Sequence, residues 1–153
     1  MGGRALLCVG AVLRGDDAAG PYLAKLLEQN PVEGWTVFDG GQMPEDFLSP
    51  LRRMRPDTLV VFDAASMELA VGEIRRLTPD DVTTDYLMTT HSLPLSFMLN
   101  ELKDSCGEIV FIGIQPGHME FCGPLSAPVL AGVEQFYERL AQGVVDFGDI
   151  AYL

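Results

Sequence analysis

Residues 5–21 restrict this chain to a narrow set of folds. The apolar run Ala5-Leu6-Leu7-Cys8-Val9 stops at Gly10. Gly15 follows, then Asp16 and Asp17, and helix-compatible sequence begins at Ala18. Strand, glycine-bounded turn and helix in that order form the opening unit of an open α/β sheet, whose ligands sit outside the carboxyl ends of the strands. The glycine spacing matches a phosphate-binding loop. Such a loop then needs Lys and Ser/Thr to meet phosphate and Mg²⁺, whereas two carboxylates would repel a phosphate. The segment therefore has the layout of an α/β ligand site and a charge that calls for a cation.

The rest of the chain repeats the alternation of strand and helix. Strands are expected at Ala5–Val9, Trp35–Phe38, Thr58–Phe62 and Glu108–Ile114. Helices are expected at Ala18–Gln29, Glu45–Arg53, Pro94–Leu102 and Ala127–Leu140. Glu73–Leu77 is more polar and suits an antiparallel edge strand. The inward positions expected are Leu23, Leu26 and Leu27; Phe47, Leu48, Leu51 and Met54; and Phe97, Met98 and Leu102. This pattern predicts a mostly parallel twisted sheet covered on both faces, a three-layer α/β/α sandwich. The 153 residues show no linker or repeat, so residues 1–153 are expected to form a single domain.

Composition narrows the function. Ten Lys+Arg against 22 Asp+Glu give a net charge of −12, which argues against general binding to nucleic acid or an anionic membrane. No apolar run reaches the ~18–20 residues of a membrane span. Arg4 to Leu13 superficially resembles a short export signal, but Arg14, Asp16 and Asp17 follow at once and the run reads better as a buried strand. Cys8, Cys106 and Cys122 are odd in number and widely spaced, so neither a disulfide scaffold nor a thiolate zinc site is expected. A cytoplasmic location is expected.

Several strands deliver a polar residue to the carboxyl edge: Asp16 and Asp17, Asp39, Asp63 and Gln115. The loop before the third of these later helical segments carries Thr89-Thr90-His91. Each has a plain structural alternative. Asp16 or Asp17 could cap a helix, Asp39 before Gly40-Gly41 could serve a turn, and His91 could be a satisfied buried histidine. Asp63 is harder to dismiss, because after an apolar strand it belongs at the strand's end, facing a crevice. Two carboxylates and one imidazole suit an open site for a divalent transition metal. His118, after the Gln115-Pro116-Gly117 turn, looks peripheral. Receiver domains of phosphorelays also place acids after the first and third strands, but their last strand supplies a Lys where this chain has Gln115-Pro116. A receiver-like regulatory or metal-binding module remains the alternative reading. No GxSxG, Cys/His pair or HExxH supports a conventional serine, cysteine or zincin mechanism.

Gly10 to Gly15-Asp16-Asp17-Ala18-Ala19-Gly20-Pro21, Asp39-Gly40-Gly41, Val61-Phe62-Asp63-Ala64, Met88-Thr89-Thr90-His91-Ser92-Leu93-Pro94 and Phe111-Ile112-Gly113-Ile114-Gln115-Pro116 occur in one order. That set resembles the [NiFe]-hydrogenase maturation endopeptidases, and within them the formate-hydrogenlyase type. The resemblance implies a protease that removes the C-terminal extension of a hydrogenase large-subunit precursor after nickel insertion. It implies Asp17, Asp63 and His91 as metal ligands; these three and Asp16 are the expected catalytic residues, with Asp16 and Asp17 the candidate general bases because a carboxylate beside the metal can take up a proton. It also implies substrate recognition by Asp39, Gly40 and Gly41. Nickel would come with the substrate precursor, and no organic cofactor is implied. This chain departs from the family's usual residues at Ala11, in place of Asn, and at Ala18, in place of Gly.

Overall fold

A computed structural model describes residues 2–78, 80–81 and 92–153, with residues 92–94 described through their backbone alone. Five strands build one sheet: β1 (Arg4–Val9), β2 (Trp35–Gly41), β3 (Thr58–Ala64), β4 (Ile74–Leu77) and β5 (Glu108–Ile114). Their order is β2-β1-β3-β5-β4. All pairings are parallel except β4 with β5, which is antiparallel, as the polarity of Glu73–Leu77 predicts. The described helices are α1 (Ala19–Gln29), α2 (Leu48–Met54), α3 (Ser92–Leu102) and α4 (Ala127–Ala141), with 3₁₀ turns at Gly15–Ala18 and Pro44–Phe47.

Strand alternation sorts the core into two halves. Ala5, Leu7, Val9, Leu59, Val61 and Phe111 face one way, against Leu51 of α2 and Leu95, Met98 and Leu102 of α3. Leu6, Cys8, Val60, Phe62 and Ile112 face the other, against Leu23 and Leu27 of α1 and Val129, Val133 and Phe136 of α4. The outcome is the expected three-layer sandwich. One expected core residue is misplaced: Phe97 is 57% exposed. The buried face of α3 is Leu95, Met98, Leu99 and Leu102, spaced i, i+3, i+4, i+7, and residue 97 falls off that stripe.

β2 runs three residues beyond the expected end, through Asp39-Gly40-Gly41. Asp39 pairs with Cys8 and Gly41 with Val9, so Gly40 is an extra residue in the ladder, a β-bulge. Gly41 has φ +53, the left-handed region that a bulge assigns to glycine. Asp39 is thus a strand residue rather than a turn residue.

The C-terminal tail lies against β4. Arg76 N–H donates to the Ala151 carbonyl (2.8 Å), and Leu153 N–H donates to the Arg76 carbonyl (3.0 Å). The Arg76 guanidinium donates to the Ile150 carbonyl and lies 4.0 Å from the Tyr152 ring centroid. Phe147 is buried and stacks on Phe136, 5.6 Å between centroids, while Arg139 grips Asp149 through two hydrogen bonds.

Candidate active site

The strand order reverses about β1: β2 lies on one side of it and β3 on the other. In open α/β sheets, the crevice at such a switch point is where ligands bind. The turn after β1 brings Asp16 and Asp17 there, and β3 brings Asp63. All three carboxyl-bearing residues are buried.

Gly10 makes the turn possible. Its backbone packs so closely against the incoming helix that a Cβ there would stand 1.9 Å from the Asp17 carbonyl oxygen. The chain then doubles back, and the Ala11 N–H donates to Asp17 Oδ2 at 3.0 Å. A main-chain amide therefore braces this loop, and residue 11 needs no side-chain amide for that contact. Ala18 has φ −79, an ordinary value that requires no glycine. Neither departure from the family pattern distorts the loop. Gly10 N–H also donates to the Gly41 carbonyl at 2.9 Å, joining the turn to the Asp39-Gly40-Gly41 bulge. Asp39 itself is exposed at this edge.

Asp63 is the unusual member. It lies inside β3, one residue before its end, and is fully buried. Neither carboxylate oxygen has a well-formed hydrogen bond among the described residues. Burial pushes its pKa well above the ordinary carboxylate range. The negative charge of Asp17 pushes the same way, and the nearby Ala64 amide offsets them only in part. A buried acid with unsatisfied oxygens beside a second buried acid is a costly arrangement, and a cation is the partner that would reverse both penalties.

Asp16 is the opposite case. Its Oδ2 accepts the Gly117 N–H (2.7 Å), the His118 N–H (3.1 Å) and the Ser126 hydroxyl (2.6 Å), and its Oδ1 accepts the Ser126 N–H (2.6 Å). Asp16 N–H in turn donates to the His118 carbonyl at 2.8 Å. Burial would raise its pKa, but the four donors outweigh burial and lower it. Asp16 is a brace between the first turn and the 115–126 segment, and a poor proton acceptor. His118, expected to be peripheral, is half-buried, and its main chain is part of this brace.

Gln115 closes the other flank. Its Oε1 accepts the Met67 and Leu69 N–H groups at 2.6 and 3.3 Å, and its Nε2 donates to the Pro116 carbonyl at 3.1 Å. It thereby fixes the segment that follows Asp63. Glu68, held between those two amides, adopts φ +58. Sequence reading placed Gln115 at the edge without seeing this role, and missed Ser126 altogether. Ser126 sits before Ala127-Pro128 like an ordinary helix cap, but its hydroxyl serves Asp16, 110 residues away. His91, with Thr89 and Thr90, lies outside the described residues. Among the described residues, no group of three or more His, Cys, Asp or Glu side chains is arranged to hold a metal.

Comparison with known proteins bears on what this edge does. Residues 21–143 match the family model for HycI, hydrogenase maturation protease. That span includes Asp39, Asp63, His91 and Gln115 but begins after Asp17. The chain is 44% identical over 135 residues to the hydrogenase 3 maturation protease of Escherichia coli K12, covering 88% of this chain and 86% of that one. Its fold superposes on the solution structure of the endopeptidase HycI from Escherichia coli with a TM-score of 0.90, at 41% identity, over 100% of this chain and 97% of that one. The crystal structure of a [NiFe] hydrogenase maturation protease HycI from Thermococcus kodakarensis gives a TM-score of 0.80 at 27% identity, over 94% and 92% of the two chains. With the family model spanning most of its length and these relatives matching nearly end to end, the chain belongs to the hydrogenase maturation proteases, endopeptidases of hydrogenase maturation.

Proposed function

We propose that this endopeptidase removes the C-terminal extension from the precursor of a [NiFe]-hydrogenase large subunit after nickel has been inserted, and that it does so in the cytoplasm. The observation that carries the reading is Asp63: fully buried at the switch point, beside Asp17, with both oxygens lacking well-formed hydrogen bonds among the described residues. This pair fits a cation that arrives with the substrate. Asp17, Asp63 and His91 are the residues proposed to hold the precursor's nickel, and the exposed Asp39 with Gly40 and Gly41 to contact the precursor beside it.

Nickel so held would polarise the scissile carbonyl or acidify a water. The chain's own part is positional. The Ala11 amide orients the Asp17 carboxylate. Gln115 holds the segment after β3 in place, and the sheet holds Asp63. Without a cation, Asp63 tends toward its protonated form, and ionisation on substrate binding releases that proton. Of the two acids weighed as general base, Asp17 takes the role, because Asp16 already accepts four hydrogen bonds.

The test mixes purified protein with nickel-loaded and nickel-free large-subunit precursor and follows the extension by mass spectrometry. Cleavage of the loaded form alone is expected. Equal cleavage of both would overturn nickel gating, and unchanged processing by His91→Ala would remove His91 from the site.

A further inference from the structure

We infer that a cavity under α3, apart from the carboxyl-edge site, binds an apolar group that ends in a single carboxylate. The cavity, about 370 Å³, opens between α3, Leu77 of β4 and the first half of β5. Its volume lies within the range of small-molecule sites, roughly 300–1,000 Å³. Asp63 pairs with Gly113 further along β5, and neither it nor Asp16, Asp17 or Asp39 lines this space.

The walls follow from the sequence of α3. Ser96, Leu99, Asn100 and Lys103 recur at i, i+3, i+4 and i+7, so they share one helix face. Leu99 meets Leu77 and Phe111 in the same half of the core, and these three give the cavity an apolar floor. Cys106 extends it. Burial raises the Cys106 thiol pKa more than the Arg55 charge lowers it, so that wall stays uncharged.

Charge selects the head group. Among the described residues, neither Asn100 nor Lys103 makes a hydrogen bond or ion pair through its side chain. The cations of α2 are engaged where they approach α3: Arg52 pairs with Glu101, and Arg55 donates to the Asp104 carbonyl. Lys103 is thus an unmatched ammonium at an apolar cavity, in a chain whose net charge is −12. With the Asn100 amide one turn away, it suits an anion. Asp80 adds one negative charge to the same lining, which disfavours a dianion such as phosphate and leaves a monocarboxylate as the fitting head. The floor takes the apolar body. The carboxylate belongs either to a small free acid or to the end of a polypeptide, and the experiment separates the two.

Full-length protein labelled with ¹⁵N is titrated with hexanoate, 1-hexanol and hexylamine while its amide resonances are followed. Hexanoate should give saturable shifts at Leu77, Leu99, Lys103 and Phe111, and 1-hexanol should bind about fivefold more weakly or worse. Lys103→Met should bring hexanoate down to the affinity of 1-hexanol without altering 1-hexanol itself, and Lys103→Arg should retain hexanoate. Lys103 is exposed, so both variants should fold as wild type. A pentapeptide ending in leucine, compared as free acid and as amide, identifies the source. Tighter binding than hexanoate by the free acid alone assigns the cavity to a polypeptide terminus, and no gain over hexanoate assigns it to a small acid. Three results overturn the site: no saturable shift at these residues up to about 20 mM, equal affinity for hexanoate and 1-hexanol, or tighter binding of hexylamine.

Discussion

Asp16 and Asp63 are the same side chain, equally buried, at the same edge of the same sheet, and they are treated in opposite ways. Asp16 accepts four hydrogen bonds from Gly117, His118 and Ser126 and is held ionised. Asp63 accepts no well-formed one among the described residues and is pushed toward its neutral form. A buried acid whose lone pairs are filled contributes to folding. One whose lone pairs are left over costs stability, and such a residue persists where something outside the chain fills them. Burial alone therefore does not separate a brace from a ligand; the count of donors does.

Substitution at the two positions should split along that line. The largest effect is on activity at Asp63. Asp63→Asn should lower precursor processing by about a thousandfold or more while raising the melting temperature by about 2–4 °C, since the ionisation penalty is removed. A variant that lost both activity and stability would make Asp63 a structural residue like Asp16. Next comes Asp16→Ala, which strands the donors gathered around one carboxylate. It should cost about 3 kcal/mol in denaturant unfolding, and it would weaken the comparison if it cost less than Asp63→Asn. Gln115→Met, which leaves the Met67 and Leu69 amides without their acceptor, should cost about 2 kcal/mol by the same measurement.

The comparison also has a pH signature. A raised folded pKa makes the Asp63 contribution most favourable below the unfolded value of about 3.9, and it declines as pH rises from there toward the folded value. The lowered pKa of Asp16 gives the reverse: its contribution is present above the unfolded value and lost as pH falls through the folded one. Unfolding free energies of wild type minus Asp63→Asn should therefore fall with rising pH above about 4, by at most about 1.4 kcal/mol per pH unit. The smallest effect serves as a reference for an acid at the surface. Arg52→Ala, which breaks the exposed ion pair with Glu101, should change stability by less than about 0.5 kcal/mol.

The difference between these acids also marks how far sequence carries. Strand and helix positions, the antiparallel edge and the placement of Asp63 at the carboxyl edge were legible, because each follows from local periodicity and from where an apolar run stops. The resemblance singles out Asp17 over Asp16 as the metal ligand, but the bracing role of Asp16 was not legible, since it depends on Ser126 and on the amides of residues 117 and 118, more than a hundred positions away. The turn weighed as the alternative for Asp39 rested on Gly-Gly, which commonly makes turns; in the structure the glycines make a bulge that lets the strand continue. Phe97 read as core because its hydrophobicity outweighed a phase error of one residue along α3. His91 was identified by motif and lies outside the described residues, so its place in the site rests on the resemblance and on the proposed test.

Arg76 gives the molecule a further property. Its main chain pairs with Ala151 and Leu153, its guanidinium reaches the Ile150 carbonyl, and it lies over Tyr152. The outer rim of β4, which would otherwise offer free amides and carbonyls to any passing strand, is thereby plugged from within the chain. Among the described strands, that leaves the β2 rim as the edge open to strand addition, so growth of the sheet through both rims is opposed at the β4 side.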